Sequence, residues 1–485
     1  MFKDSWALEA DIQEANSSCV QFEPTTKMGR TNRSWITKDV NGNLKTDMSG
    51  QRGKWEGDKV DPAEASLLNK FIRRALVSSR HEVEVLQRDP TSPLFSVKTF
   101  EELRLKPELL KGVYNMGFNR PSMIQEKALP MMLAQPPQNL IAQSQSGTGK
   151  TAAFSLAMLS HVNPAHKWTQ TLCIAPTYEL ALQIGQVIEQ MGKFCPDIKL
   201  AYGIRGSKVE RGRLLQEHIV VGTPGTILDW CNKFKVIEAK KITMFVLDEA
   251  DVMIATQGHR DQSIRIHRQL TKDCQMLFFS ATFEEAVWRF AKMIVPEPNI
   301  IRLRREEETL DTIKQFYVLC KSKEDKFSIL CNLYGSMTVA QAMIFCHTRE
   351  MASWLSANLT KEGHSVALLS GELTVMQRAS IIERFRDGKE KVLVTTNVCS
   401  RGIDVEQVSL VVNFDLPVDM GGNADNDTYL HRIGRTGRFG RRGFAINMVD
   451  SEYGMDVIRQ IEMHFDRRIP KLDTLNVEEI EKQLS

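Results

Sequence analysis

Paired cysteines are missing from this chain. The cysteines Cys19, Cys173, Cys195, Cys231, Cys274, Cys320, Cys331, Cys346 and Cys399 stand singly, several inside apolar runs such as LCIA and MIFC. Without a C-x-x-C pair they argue against a zinc-thiolate site or a disulfide frame, and read as buried thiols of a reducing compartment. Also missing is any apolar run long enough to span a bilayer, which argues against membrane insertion. The opening MFKDSWALEADIQEANSS has neither the basic start nor the apolar stretch of a secretory signal, so secretion is not expected. Charge of one sign is lacking as well. Lys and Arg number 63 against 60 Asp and Glu, and a net charge of +3 makes no case for a polyanion partner by itself. What is present, 42% hydrophobic and 25% charged residues over 485 positions, describes a soluble globular protein of two or three domains.

Residues 1–60 mix Asn, Thr, Lys, Gly and Asp with few periodic apolar positions, and are expected to be a mostly disordered extension. Residues 61–91 read as an amphipathic helix and linker. Asp61 caps it, Pro62 takes the first helical position, and Glu64 can bond back to the cap. Leu67, Leu68, Phe71, Ile72, Ala75 and Leu76 then share one face, with Lys70, Arg73 and Arg74 on the other. Either the helix packs on the domain behind it, or it is a detachable regulatory element.

From residue 92 the pattern becomes apolar runs of strand length separated by helical stretches: NLIAQ, TLCIAPT, HIVVGTP, MFVLDEA and QMLFFSAT up to residue 301. Residues 302–311 are charged and read as a linker. A second series, AMIFCHT, HSVALLSG, EKVLVTTN, LVVNFDLP and GFAINMVD, fills residues 312–480. Strands buried on both faces and joined by helices predict two tandem α/β domains with parallel sheets, with function at the carboxyl ends of the strands.

The first run leads straight into Ser144, Gln145, Ser146, Gly147, Thr148, Gly149, Lys150 and Thr151, a phosphate-binding loop of the form A-x-x-x-x-G-x-G-K-T, with Ala142 in place of the usual first Gly. Small residues let backbone N–H groups turn inward, the following helix start favours an anion, Lys150 reaches terminal phosphates, and Thr151 is placed to hold Mg2+. Such a loop needs a carboxylate at the end of another buried strand. FVLDEAD supplies Asp248 for Mg2+ and Glu249 to orient or deprotonate the attacking water. An exposed acidic turn would have no reason to follow so apolar a run.

Taken together, these stretches resemble the DEAD-box RNA helicases, superfamily 2 ATPases with two RecA-like domains, over residues from about 98 to 470. The resemblance implies that Phe100 packs on adenine and that Gln125, in GFNRPSMIQ, reads its edge, giving ATP preference over GTP. It implies that Asp251 links to Ser280 and Thr282 of the S-A-T motif, which couples hydrolysis to closure. Pro176, Thr177, Arg205, Gly206, Thr223, Pro224 and Gly225 would face RNA, although Tyr178 and Thr226 stand where the family usually has Arg. In the second domain, Gln377, Arg378, Thr395 and the Phe385-Arg386-x-Gly388 turn would continue the RNA path, Asp404 would contact the ribose, and His431 would join the coupling set. Arg435 and Arg438 would act as arginine fingers on the γ-phosphate. Here Asn397 stands where Asp is usual and Ser400 where Ala is usual, and the connection VDMGGNADNDTY is longer than typical. The five arginines from Arg432 to Arg442 read alternatively as a solvated basic patch that binds nucleic acid by charge.

The implied activity is RNA-stimulated hydrolysis of ATP with Mg2+, clamping single-stranded RNA by its backbone and remodelling RNA–protein complexes. An ATP-gated clamp or scaffold with little productive unwinding, and a DNA helicase, are the alternatives. PTYEL, SQSGTGKT, the long VDMGGNADNDTY insertion and the S-L-L-N-K helix look most like the mRNA-export branch. That branch implies action at the cytoplasmic face of the nuclear pore, in cytoplasm and nucleus, with a pore-anchored activator and inositol hexakisphosphate as partners. No membrane association is expected, and the chain is expected to be a monomer.

Overall fold

Strands come first, because the runs of Val, Ile, Leu and Phe leave few alternatives. A computed structural model describes residues 83–86, 96–143, 148–303, 312–336, 339–397, 405, 407–437 and 442–472. The extension 1–60, the helix from Asp61, Ser144, Gln145, Ser146, Gly147, Ser400, Asp404 and Arg438 lie outside the described residues.

The first lobe carries β1 (Val83–Leu86), β2 (Leu140–Gln143), β3 (Thr171–Ile174), β4 (Leu200–Gly203), β5 (Ile219–Gly222), β6 (Met244–Leu247), β7 (Gln275–Ser280) and β8 (Asn299–Leu303), in the spatial order β1-β8-β2-β7-β6-β3-β5-β4. All neighbours run parallel except β1 against β8. The second lobe carries β9 (Ile313–Leu319), β10 (Gln341–Cys346), β11 (Val366–Leu369), β12 (Val392–Thr396), β13 (Val408–Asn413) and β14 (Gly443–Val449), all parallel, in the order β11-β12-β10-β13-β14-β9. The described residues of both sheets belong to one compact unit of the chain, Ser66–Ser485. Two tandem RecA-like lobes are therefore what the sequence folds into.

Alternation along each strand feeds a core on either face. In β2, Leu140 and Ala142 enter one cluster with Phe154 and Phe279, while Ile141 enters another with Phe245 and Phe278. Each such side chain, fully buried, contributes about 1.5–3 kcal/mol. The second sheet repeats the pattern, with Ile344 and Val394 on one side and Phe345 and Leu393 on the other. Cys173, Cys231, Cys274, Cys320 and Cys346 are buried in these layers, and burial pushes the thiols of Cys231 and Cys274 up to about 12. Among the described residues no helix is long and apolar enough to cross a membrane.

The linker boundary differs from expectation. Arg302 and Leu303 continue β8, pairing with Glu84 and Val83 of the edge strand β1, so the linker starts after Leu303. The long connection after Pro417 is an ordered turn: Asp419 N donates to Asn423 O at 2.9 Å, and Tyr453 Oη donates to Gly422 O at 2.6 Å.

Parallel strands place their carboxyl ends along one edge. The registers Gln143 with Ser280, Leu247 with Phe278, and Ile174 with both Leu247 and Gly222 bring the ends of β2, β7, β6, β3 and β5 level. Every motif singled out in the first lobe after position 140 follows one of these ends, apart from Arg205 and Gly206 beyond β4.

Candidate functional site

The phosphate loop ends at Gly149, whose φ of +95° is open to glycine and strained for other residues. The helix Lys150–His161 starts there with its free N–H groups at the sheet edge. A Cβ on Gly149 would lie 2.7 Å from Gln125 Nε2, because Gln125 is packed onto the loop. Its amide does two jobs at once: Oε1 accepts from Ser122 N at 2.9 Å in a capping box, and Nε2 donates to Gly149 O at 3.0 Å. The residue assigned to the adenine edge thus also clamps the phosphate loop. Phe100 is packed into the lobe: its ring is 2% exposed and lies in the core cluster with Leu109 and Val113.

The acidic turn follows β6 because that strand is buried along its whole length. Asp248 is fully buried; its Oδ1 accepts from Glu249 N at 3.0 Å and lies 3.7 Å from Lys150 Nζ. Burial raises its carboxyl to about 6, against the opposing pull of Lys150 and with help from neighbouring Glu249 and Asp251. Glu249 sits at φ +47° in the left-handed region, a conformation costing about 1–2 kcal/mol for a side chain with Cβ. Asp248 Oδ2 and Glu249 Oε2 are buried without a hydrogen-bond partner. A buried carboxylate oxygen left bare beside the phosphate-loop lysine fits a hard, hydrated divalent cation, and that of Glu249 fits a water.

Asp251 points to the coupling set. Its N–H donates to Ser280 Oγ at 3.3 Å, Thr282 Oγ1 donates to its Oδ2 at 3.2 Å, and His431 Nε2 of the second lobe lies 2.7 Å from the same oxygen. His431 is held by the helix Asn426–Ile433, and Arg435, just beyond it, is buried with its Nε donating to His431 O at 2.9 Å. Two more contacts join the lobes: Arg378 Nε to Glu179 Oε1 at 2.8 Å and Arg386 Nη1 to Gln186 Oε1 at 3.2 Å. Between them lies a cavity of about 320 Å3 whose walls include Thr151, Gln183, Val405 and Gln407.

The nucleic-acid residues divide. Thr177 caps the helix Tyr178–Met191 by accepting from Leu180 N at 3.2 Å, and Pro224 opens the helix Pro224–Asn232, so both helix starts offer N–H groups at the sheet edge. Pro176 is buried, Gly225 half-buried, Arg205 exposed, and Gly206 has φ +94° with open space around it. Thr226, at one departure from the family pattern, shares a hydrogen bond with Thr223 Oγ1 at 3.4 Å, and Tyr178, at the other, packs against the core. Gln377 is exposed in a capping box with Thr374. Arg378 faces Glu179 in this structure. Thr395 is a correction: it is fully buried in β12, with its hydroxyl donating to Thr396 O at 3.2 Å, so it has no surface to give a phosphate.

Comparison with known proteins agrees with this arrangement. A family profile described as DEAD/DEAH box helicase matches residues 122–290, and one described as Helicase conserved C-terminal domain matches residues 325–440. The ATP-dependent RNA helicase DDX19A of Homo sapiens is 66% identical over 482 residues, 99% of each chain. The chain belongs to the DEAD/DEAH box helicases. Among solved structures, this helicase is similar to S. cerevisiae Dbp5 bound to RNA and ADP BeF3, at 48% identity and TM-score 0.75, covering 80% of this chain and 99% of that one. It is similar also to a point variant of S. cerevisiae Dbp5 bound to Nup159, a Gle1 variant, IP6 and ADP, at 47% identity and TM-score 0.60, covering 78% and 99%.

The sequence does not single out Gln186, and it offers Glu179 and Arg386 only within RNA-facing stretches and Arg432 only within a basic cluster; the partners of the first three sit in the other lobe, and Arg432 turns inward. The Arg432 guanidinium is 0% exposed and is held by Asn397, Asn413 and the Asp415 carbonyl. No local pattern announces such contacts.

Proposed function

We propose that this helicase is an RNA-stimulated ATPase that clamps single-stranded RNA by its backbone and uses closure and ATP hydrolysis to remodel RNA–protein complexes. The observation that carries this reading is the hydrogen bond from His431 to Asp251, which ties the second lobe to the acidic turn. Lys150 holds the terminal phosphates, Glu249 positions and deprotonates the water, and Arg435 meets the γ-phosphate charge once the cleft is shut. Thr151 and Asp248 are the residues to hold Mg2+, which when bound neutralises charge on the phosphate oxygens. An arginine finger is worth roughly 10³–10⁵ in rate. Hydrolysis is thereby conditional on whatever closes the lobes, and RNA lying across both is that closer.

The relatives support a place in mRNA export at the cytoplasmic face of the nuclear pore, with the chain acting as a monomer in cytoplasm and nucleus. The Dbp5 complex with Nup159, Gle1 and IP6 supports pore-anchored activators and inositol hexakisphosphate as partners. The segment from Asp61 is proposed to restrain the resting enzyme; deletion of residues 1–77 then raises basal ATPase, and an intact fold with unchanged activity contradicts it.

The activity is tested by ATP turnover with RNA and with DNA of matched sequence and length. Stimulation by RNA alone is the expected result, since 2′-hydroxyl contacts separate the polymers. Equal stimulation by both contradicts the assignment.

A further inference from the structure

The helix Asn426–Ile433 delivers His431 to the acidic turn and leads directly to Arg435, so whatever fixes this helix fixes the second lobe's share of the site. Its anchor is Arg432. The guanidinium is completely buried, lies 5.1 Å above the Phe345 ring, and spends its donors on neutral oxygens. Nε donates to Asn397 Oδ1 at 3.0 Å and Nη2 donates to the same oxygen. Nη1 donates to Asn413 Oδ1 at 2.9 Å and to Asp415 O at 2.7 Å.

Among the described residues no carboxylate lies within ion-pair distance of this cation. Asp415 and Asp425 act on it only through space, and Asp415 turns its side chain to Lys326 at 3.5 Å and to His347 N at 2.8 Å. Asn413 extends the chain inward, donating from Nδ2 to Asn447 Oδ1 at 2.8 Å, and Asn447 Nδ2 in turn donates to Phe316 O at 3.0 Å and to Tyr429 Oη at 3.2 Å. Tyr429 is on the same helix as Arg432. One buried polar chain therefore grips that helix at two consecutive turns.

A buried charge held only by neutral acceptors is stable only while every acceptor stays in place. Removing one leaves the guanidinium underbonded and free to pull the helix toward a new partner. Because reacting groups must hold their geometry to within about 1 Å, such a shift acts on turnover before it acts on binding.

We propose that Arg432 is a positioning residue for the arginine finger, and that Asn397 is the acceptor that sets its register. This rests on the reading of Arg435 as the group that meets the γ-phosphate. Asn397 touches no reacting atom in this scheme. Its effect travels through Arg432 and the helix to His431 and Arg435.

The test uses the full chain and three substitutions, with melting temperature, ATP-analogue and RNA affinity, and RNA-stimulated kcat and KM read for each. Asn397→Ala is expected to bind the analogue and RNA as wild type, with kcat lower by about tenfold and KM for ATP within about twofold. Asn397→Asp, which keeps the Oδ1 acceptor, is expected to restore kcat. Arg435→Ala is the control for the finger itself. Loss of kcat in Arg435→Ala but not in Asn397→Ala overturns the positioning role. A lower melting temperature in Asn397→Ala with kcat unchanged overturns it too, because the residue is then structural only. No loss in Arg435→Ala overturns the finger reading on which it stands.

Discussion

Asp248→Asn should make the nucleotide-free protein more stable while abolishing turnover. The carboxyl is fully buried and rises from 3.8 to about 6, even with Lys150 3.7 Å away. At about 1.36 kcal/mol per unit, holding it ionised costs the folded state about 3 kcal/mol at neutral pH. The sign follows from proton binding: the folded chain binds this proton more tightly than the unfolded one, so stability falls as pH rises from about 4 through about 6. Asparagine removes that dependence. Its advantage is therefore about 3 kcal/mol at about pH 7.5, roughly half of that at pH 5, and absent below pH 4. For a lobe of this size the larger figure corresponds to a rise of roughly 6–12 °C in melting temperature. Calorimetry of wild type and variant at the two higher pH values, without nucleotide, reads it directly. An Asn variant that melts at or below wild type at pH 7.5 means instead that Lys150 compensates the buried charge in full.

Other outcomes follow from individual contacts. His431→Ala deletes the hydrogen bond to Asp251, of a kind contributing about 1.5–3 kcal/mol, and should lower RNA-stimulated kcat about tenfold while nucleotide binding to the first lobe is kept; lost nucleotide binding contradicts a purely interlobe role. Gln125→Ala removes both the donor to Gly149 O and half of a capping box, a loss of about 1 kcal/mol, and should weaken binding of a fluorescent ADP; unchanged affinity means the phosphate loop does not depend on that bond. Thr395→Val replaces a buried hydroxyl by a group of similar shape, so RNA affinity across a salt titration should stay within about twofold, and a tenfold loss would restore Thr395 to the RNA path.

The central strands were legible because β2, β3, β5, β6, β7, β10 and β12 are covered on both faces, which demands unbroken apolar runs. Strands β4 and β9 lie at sheet edges and are only partly buried. The run IKQFYVL accordingly alternates, and Arg302 in β8 carries charge into a strand. Within the site, Lys150, Asp248 and Ser280 could be placed because each follows a strand whose end the parallel sheet aligns. The pairing of Arg378 with Glu179 could not, since 199 residues separate them and each looks locally like an exposed charge. Thr395 misled for a related reason: it resembles its neighbour Thr396 in VLVTTN, and although both are buried only the fold shows that the Thr395 hydroxyl is bonded inside the strand.

Hydrolysis in this scheme waits for the second lobe. Single-turnover hydrolysis of prebound ATP, with and without single-stranded RNA, tests it in wild type and in Arg435→Ala. RNA is expected to raise the wild-type rate by a factor of about ten or more, while Arg435→Ala binds ATP and RNA normally yet shows no rise. Hydrolysis equally fast without RNA, or stimulation that survives loss of Arg435, would contradict it.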